Sequence, residues 1–72
     1  MYPNPTTGEF TVESGNAGVL IVYTIDGKEL VRYSVNEGTT RMRLPKQIAH
    51  GVYMCRFAGA DGSTMMVRLV VE

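Results

Sequence analysis

Cys55 and His50 stand five residues apart and offer a thiol and an imidazole, the attacking group and base of a cysteine-nucleophile mechanism. Cys55, however, falls in an alternating run with Tyr53 and Phe57 on its side and Met54 and Arg56 on the other. In such a run a lone cysteine reads as a small buried hydrophobe. His50 precedes a glycine in a connecting segment and reads as a solvated turn residue. As the single cysteine of the chain, Cys55 cannot close an internal disulfide, and His50 has no Cys or His partner at metal-ligand spacing. Asp26 and Asp61 each precede glycine, which is turn chemistry, and calcium needs more oxygen ligands than either turn offers. No nucleophile, acid and base assemble, so the chain does not read as an enzyme, and no metal or cofactor is expected.

Four arginines invite a binding reading. Arg41, Arg43, Arg56 and Arg68 alternate with apolar residues, and outward on neighbouring strands they would form a patch for an acidic partner. The plainer reading, preferred here, is a solvated face on which Glu9, Glu13 and Glu29 supply counter-charges. Met42, Met54, Met65 and Met66 read first as adaptable filling of a small core, with Met54 and Met66, where outward, offering a contact surface.

The elements that carry these residues are strands. Apolar residues alternate over short runs, and no i, i+3, i+4, i+7 stripe is sustained, so no helix is expected. In residues 9–13, Phe10 and Val12 point one way and Glu9, Thr11 and Glu13 the other. Residues 19–25 are apolar on both faces, as a central strand requires. Asp26-Gly27 offers the positive φ angles of a tight hairpin returning into residues 29–35, with Val31, Tyr33 and Val35 inward. Residues 40–44 follow, with Met42 and Leu44 inward, until Pro45 removes a donor. Residues 51–58 place Tyr53, Cys55 and Phe57 inward. Asp61-Gly62 then turns the chain into residues 64–71, with Met65, Val67, Leu69 and Val71 inward and Arg68 outward. The Tyr2-Pro3-Asn4-Pro5 opening adds an extended edge segment. About seven short antiparallel strands with regular turn signals predict an all-β, small immunoglobulin-like sandwich.

Length and charge bound the rest. A chain of 72 residues has room for one domain, expected over 1–72, and at this size only roughly 60% of the unfolded surface is buried. Seven basic and seven acidic residues cancel, with no like-charge run, which argues against nucleic acid or anionic lipid as partner. The longest apolar stretch, residues 19–23, is too short to span a bilayer, and no signal peptide stands at the amino terminus. The Pro-rich start fits a piece cut from the end of a longer precursor with its export signal upstream. Little charge guards residues 19–23, so an edge-paired or strand-exchanged homodimer is a further expectation.

The order of these blocks resembles a known family. Tyr2-Pro3-Asn4-Pro5 followed by Gly8, then Phe10 and Val12, resembles the opening motif of type IX secretion system C-terminal sorting domains. Residues 22–30, closing on Gly27 and Lys28, resemble its second block, Gly51-Val52-Tyr53 its Gly-x-Tyr block, and residues 66–71 its closing strand. The resemblance implies the last domain of a secreted cargo protein of Bacteroidetes-type bacteria, whose cargo can itself be an enzyme such as a gingipain-like cysteine protease. It implies transit through the periplasm, recognition by an outer-membrane receptor or shuttle, and delivery to the cell surface or medium. Removal of the domain by a sortase-like protease upstream of Met1 and anchoring of the cargo are implied with it. Pro3, Asn4, Pro5, Gly8, Gly27, Lys28, Gly51 and Tyr53 carry over as motif positions. Val67, Leu69, Val70, Val71 and Glu72 are the recognition candidates, although Glu72 stands where the family commonly has lysine. The competing readings are an immunoglobulin-like adhesion or carbohydrate-binding module, against which the absence of Trp speaks, and a structural cap of a larger enzyme.

Overall fold

The computed structural model describes Tyr2 and residues 7–72. These residues form six strands and no helix: β1 (Glu9–Ser14), β2 (Gly18–Thr24), β3 (Glu29–Val35), β4 (Gly38–Arg43), β5 (Gly51–Gly59) and β6 (Thr64–Val71). β1 and β4 make a two-stranded sheet, and the others a four-stranded sheet in the order β3-β2-β5-β6, with every pairing antiparallel. The chain changes sheet between β1 and β2, between β3 and β4, and between β4 and β5.

The core lies between the sheets, where period-two alternation puts it. Phe10, Val12, Met42 and Leu44 come from the β1 and β4 side. They meet Leu20, Val22, Val35, Tyr53, Cys55, Phe57, Leu69 and Val71 from the wider sheet, with Val31, Tyr33 and Ile48 packed against them. The Phe10 and Tyr33 rings meet edge to face at 6.3 Å, and the Tyr33 hydroxyl donates to the Arg43 carbonyl at 2.8 Å, tying β3 to β4 across the two sheets.

Beside the six strands, Tyr2 of the opening segment forms a two-bond bridge with Thr11, at 2.9 and 2.6 Å, while residues 3–6 of that segment lie outside the described residues. Three expectations change. Met65, expected inward, is 58% exposed, because β6 starts at an open flank where β1 ends and its side chain borders a cleft of about 70 Å³ beside Val12, Ser14 and Phe57. The two Asp-Gly hairpins also differ from a two-residue turn. Thr24 N donates to Lys28 O at 2.8 Å and Gly27 N to Thr24 O at 3.0 Å, leaving a three-residue loop in which Gly27 takes φ +95°. The β5–β6 hairpin repeats this geometry from Gly59 to Ser63, with bonds of 2.8 and 3.0 Å. No described residue other than glycine has positive φ, so a three-residue loop confines the left-handed conformation to the one residue that adopts it without strain. Ile25, expected at the end of β2, belongs to the first of these loops and is 76% exposed.

Candidate functional site

The structure separates the residues whose types could do chemistry. Cys55 is fully buried between the sheets, and burial pushes its thiol up to about 11, so the thiolate that a nucleophile or metal ligand needs is suppressed at neutral pH. His50 is exposed in the bend before β5, whereas Cys55 has no exposed surface. No group of three or more His, Cys, Asp or Glu is placed to hold a metal ion among the described residues.

The two turn aspartates are occupied structurally. Asp26 accepts from the Thr24 hydroxyl, and Asp61 accepts from Ser63 Oγ at 2.7 Å, Ser63 N at 3.0 Å and Asn16 Nδ2 at 3.0 Å. Together with Ala60 N donating to Ala17 O at 2.8 Å, the Asn16 bond fastens the β5–β6 hairpin to the β1–β2 corner. The bonds from Ser63, with that from Asn16, hold the Asp61 carboxyl below the usual range. A carboxylate with a depressed folded pKa stabilises the fold above its unfolded pKa, and this contribution is lost as pH falls through the folded value. The melting temperature is therefore expected to drop below about pH 4, and Asp61→Asn to make that drop shallower, as thermal circular dichroism across a pH series would read.

The motif positions that fall on described residues each do local work. The Gly8 carbonyl accepts from Leu44 N at 2.7 Å, closing the open end of the β1–β4 pair. Lys28 completes the first hairpin through its backbone, with its N–H reaching Thr24 Oγ1 at 3.0 Å. Gly51 opens β5 at φ +148°, a conformation a side chain would oppose, and so sets the entry for Tyr53. Tyr53 is 8% exposed, and its hydroxyl donates to the Ala49 carbonyl at 2.5 Å, a tyrosine corner that staples the preceding loop to the sheet. Tyr53→Phe is expected to cost about 1 kcal/mol. In a domain of this size that lowers the melting temperature by ~4–8 °C, measurable by calorimetry. Pro3, Asn4 and Pro5 lie outside the described residues.

β6 closes the four-stranded sheet at one edge and pairs with β5 from Thr64 opposite Ala58 to Val71 opposite Gly51. Its recognition candidates divide by face. Leu69 and Val71 are core residues, Val67 is half-buried on the same inward side, Val70 is half-buried on the outer side, and Glu72 is exposed.

The profile of the secretion system C-terminal sorting domain matches the chain over residues 1–72. The chain belongs to this family. No curated protein and no solved structure matches it. The sorting domain is thus a type IX secretion signal: it engages that machinery and sends its cargo to the cell surface or extracellular space. Sorting, not catalysis, is the work of such a domain, and the match favours this reading over an adhesion module.

The arginines of the sorting domain divide between its two outer faces. Arg43 pairs with Glu9, its partner in the β1–β4 register, and Arg41 stands opposite Thr11 on the same face. Arg56 and Arg68 lie on the outer face of the four-stranded sheet, where they are joined by Arg32, paired with Glu29 at 2.8 Å. Of the expected counter-charges, Glu9 and Glu29 serve arginines, while Glu13 accepts the Tyr2 hydroxyl at 2.8 Å. Arg32 and the cross-sheet bond of Tyr33 escaped the sequence reading, because neither stands out by type or spacing and each takes its place from strand pairing.

Proposed function

We propose that residues 1–72 form the single C-terminal sorting domain of a larger secreted precursor, read at β6 by an outer-membrane receptor or shuttle of the type IX system after periplasmic transit. A sortase-like protease then removes the domain and the cargo is anchored at the surface. The observation that carries this reading is the alternation along β6. Leu69 and Val71 are held in the core, so Val70 and Glu72 take their outward positions only when the sandwich is folded. A receptor reading those side chains therefore reads a folded sorting domain.

The test fuses the chain behind a neutral reporter carrying a signal peptide, in a host with a working type IX system. The reporter is expected in the medium or on the surface with the domain and inside the cell without it. The double variant Val70→Arg with Glu72→Ala is expected to melt like the parent and to be retained; full export of that variant would overturn the reading at β6. Light scattering across a concentration series tests the edge-paired or strand-exchanged dimer separately.

A further inference from the structure

The two outer faces of the sandwich have different chemistry. On the β1–β4 face, Glu9 faces Arg43, Thr11 faces Arg41 and Glu13 faces Thr39, a polar surface with both signs of charge. The outer face of the four-stranded sheet is apolar at its centre. Across one row Arg32, Ile21, Arg56 and Met66 are register neighbours, and the next row places Met54 beside Arg68. Ile21 is only 8% exposed although it stands outside the core cluster. Arg32 and Arg56 flank it in register, and the aliphatic stem of an arginine covers apolar surface while its guanidinium stays in water. Among the described residues three guanidinium groups lie on this face against two carboxylates, Glu29, which is already held by Arg32, and Glu72 just past the end of β6. Arg56 is exposed and makes no ion pair among the described residues.

We propose that the outer face of the four-stranded sheet is the docking surface of the sorting domain for a protein partner that presents carboxylates around an apolar patch. Arg56 is its central anchor. This rests on the reading that the domain is recognised by the secretion machinery, and it extends the contact from β6 across β5 to β2. An apolar centre with arginine, and no lysine, is the composition of protein interfaces, where arginine is enriched and lysine depleted. A membrane surface is the weaker fit, since electrostatic lipid binding draws on about four to eight clustered cations. A second copy fits less well still. A two-fold dimer on this face would set the guanidinium groups of one copy against those of the other, and like charges across an interface are strongly disfavoured.

The test is export of the reporter fusion with Arg56→Glu, Arg56→Lys and, on the opposite face, Arg41→Glu. Each purified domain is also melted. Arg56→Glu is expected to lower export by about tenfold or more at an unchanged melting temperature, Arg56→Lys to lose less, and Arg41→Glu to export like the parent. Parental export by a folded Arg56→Glu variant overturns the docking surface while leaving the sorting reading intact. Export of a reporter lacking the domain overturns the sorting reading instead. If Arg56→Glu melts earlier, Met66→Glu at the exposed end of the same row takes its place, with the same two outcomes. Sedimentation of the purified domain with phosphatidylglycerol vesicles, or a dimer in light scattering that Arg56→Glu dissociates, would assign the face to lipid or to self-association and overturn the proposal.

Discussion

Phe10→Ala is expected to leave the sorting domain without a cooperative thermal transition. Phe10 is 1% exposed, is among the largest fully buried side chains, and joins the two sheets through its edge-to-face contact with Tyr33. Truncating such a phenylalanine costs about 3–5 kcal/mol, from lost transfer energy and from the cavity left behind. A chain of this length has a total stability of about 4–11 kcal/mol at ordinary values per residue, and the lower part of that range suits a small core with no disulfide. Val12, Met42 and Leu44 also pack from the β1 and β4 side, but Phe10 is the one aromatic ring that this side contributes to the core cluster among the described residues. Circular dichroism melts of Phe10→Ala and Phe10→Leu check this. The leucine variant, which refills most of the volume, should keep a transition at lower temperature. A parental melt for the alanine variant would show that the sheets are held together elsewhere.

Deleting residues 69–72 is expected to unfold the domain and to stop export at the same time. The deletion removes Leu69 and Val71, at 0% and 5% exposure, from opposite Tyr53 and Gly51. Loss of two buried aliphatic side chains amounts to about 4 kcal/mol or more, before any backbone bonds of the β5–β6 ladder are counted. Limited proteolysis should find the truncated chain degraded under conditions where the parent resists. A truncation that abolishes export therefore measures folding and recognition together. The outward substitutions at Val70, Glu72 and Arg56 separate the two, because none of these three side chains belongs to the core cluster.

Local features of the chain were enough to locate most of its strands. β3 and β6 occupy residues 29–35 and 64–71 as alternation predicts, and Leu20 and Val22 on one face of β2 with Ile21 on the other match a central strand. Alternation is legible because a strand turns each successive side chain to the opposite face, whatever lies beyond it. The hairpins were legible as positions, since Asp-Gly marks a turn, but not as three-residue loops, because loop length depends on how the flanking strands pair. The motif glycines and Tyr53 were legible as types, while the Ala49 carbonyl that makes Tyr53 a corner was not. Met65 was misplaced for the same reason: alternation assigns a face, and only the opposing sheet decides whether that face is covered.

For the recognition surface, the sequence by itself determined a small all-β fold with a closing strand whose side chains alternate. Its ordered blocks resemble those of the sorting family. Only the tertiary structure decided that Arg41 and Arg43 lie on one side of the sandwich while Arg56 and Arg68 lie on the other with Arg32, and that Leu69 and Val71 are core while Val70 and Glu72 face outward. The reason is the range of the interactions. Side-chain alternation is set within two residues, whereas the pairing of β1 with β4 and of β2 with β5 joins segments about 30 residues apart, and the pattern of any one segment does not name its partner.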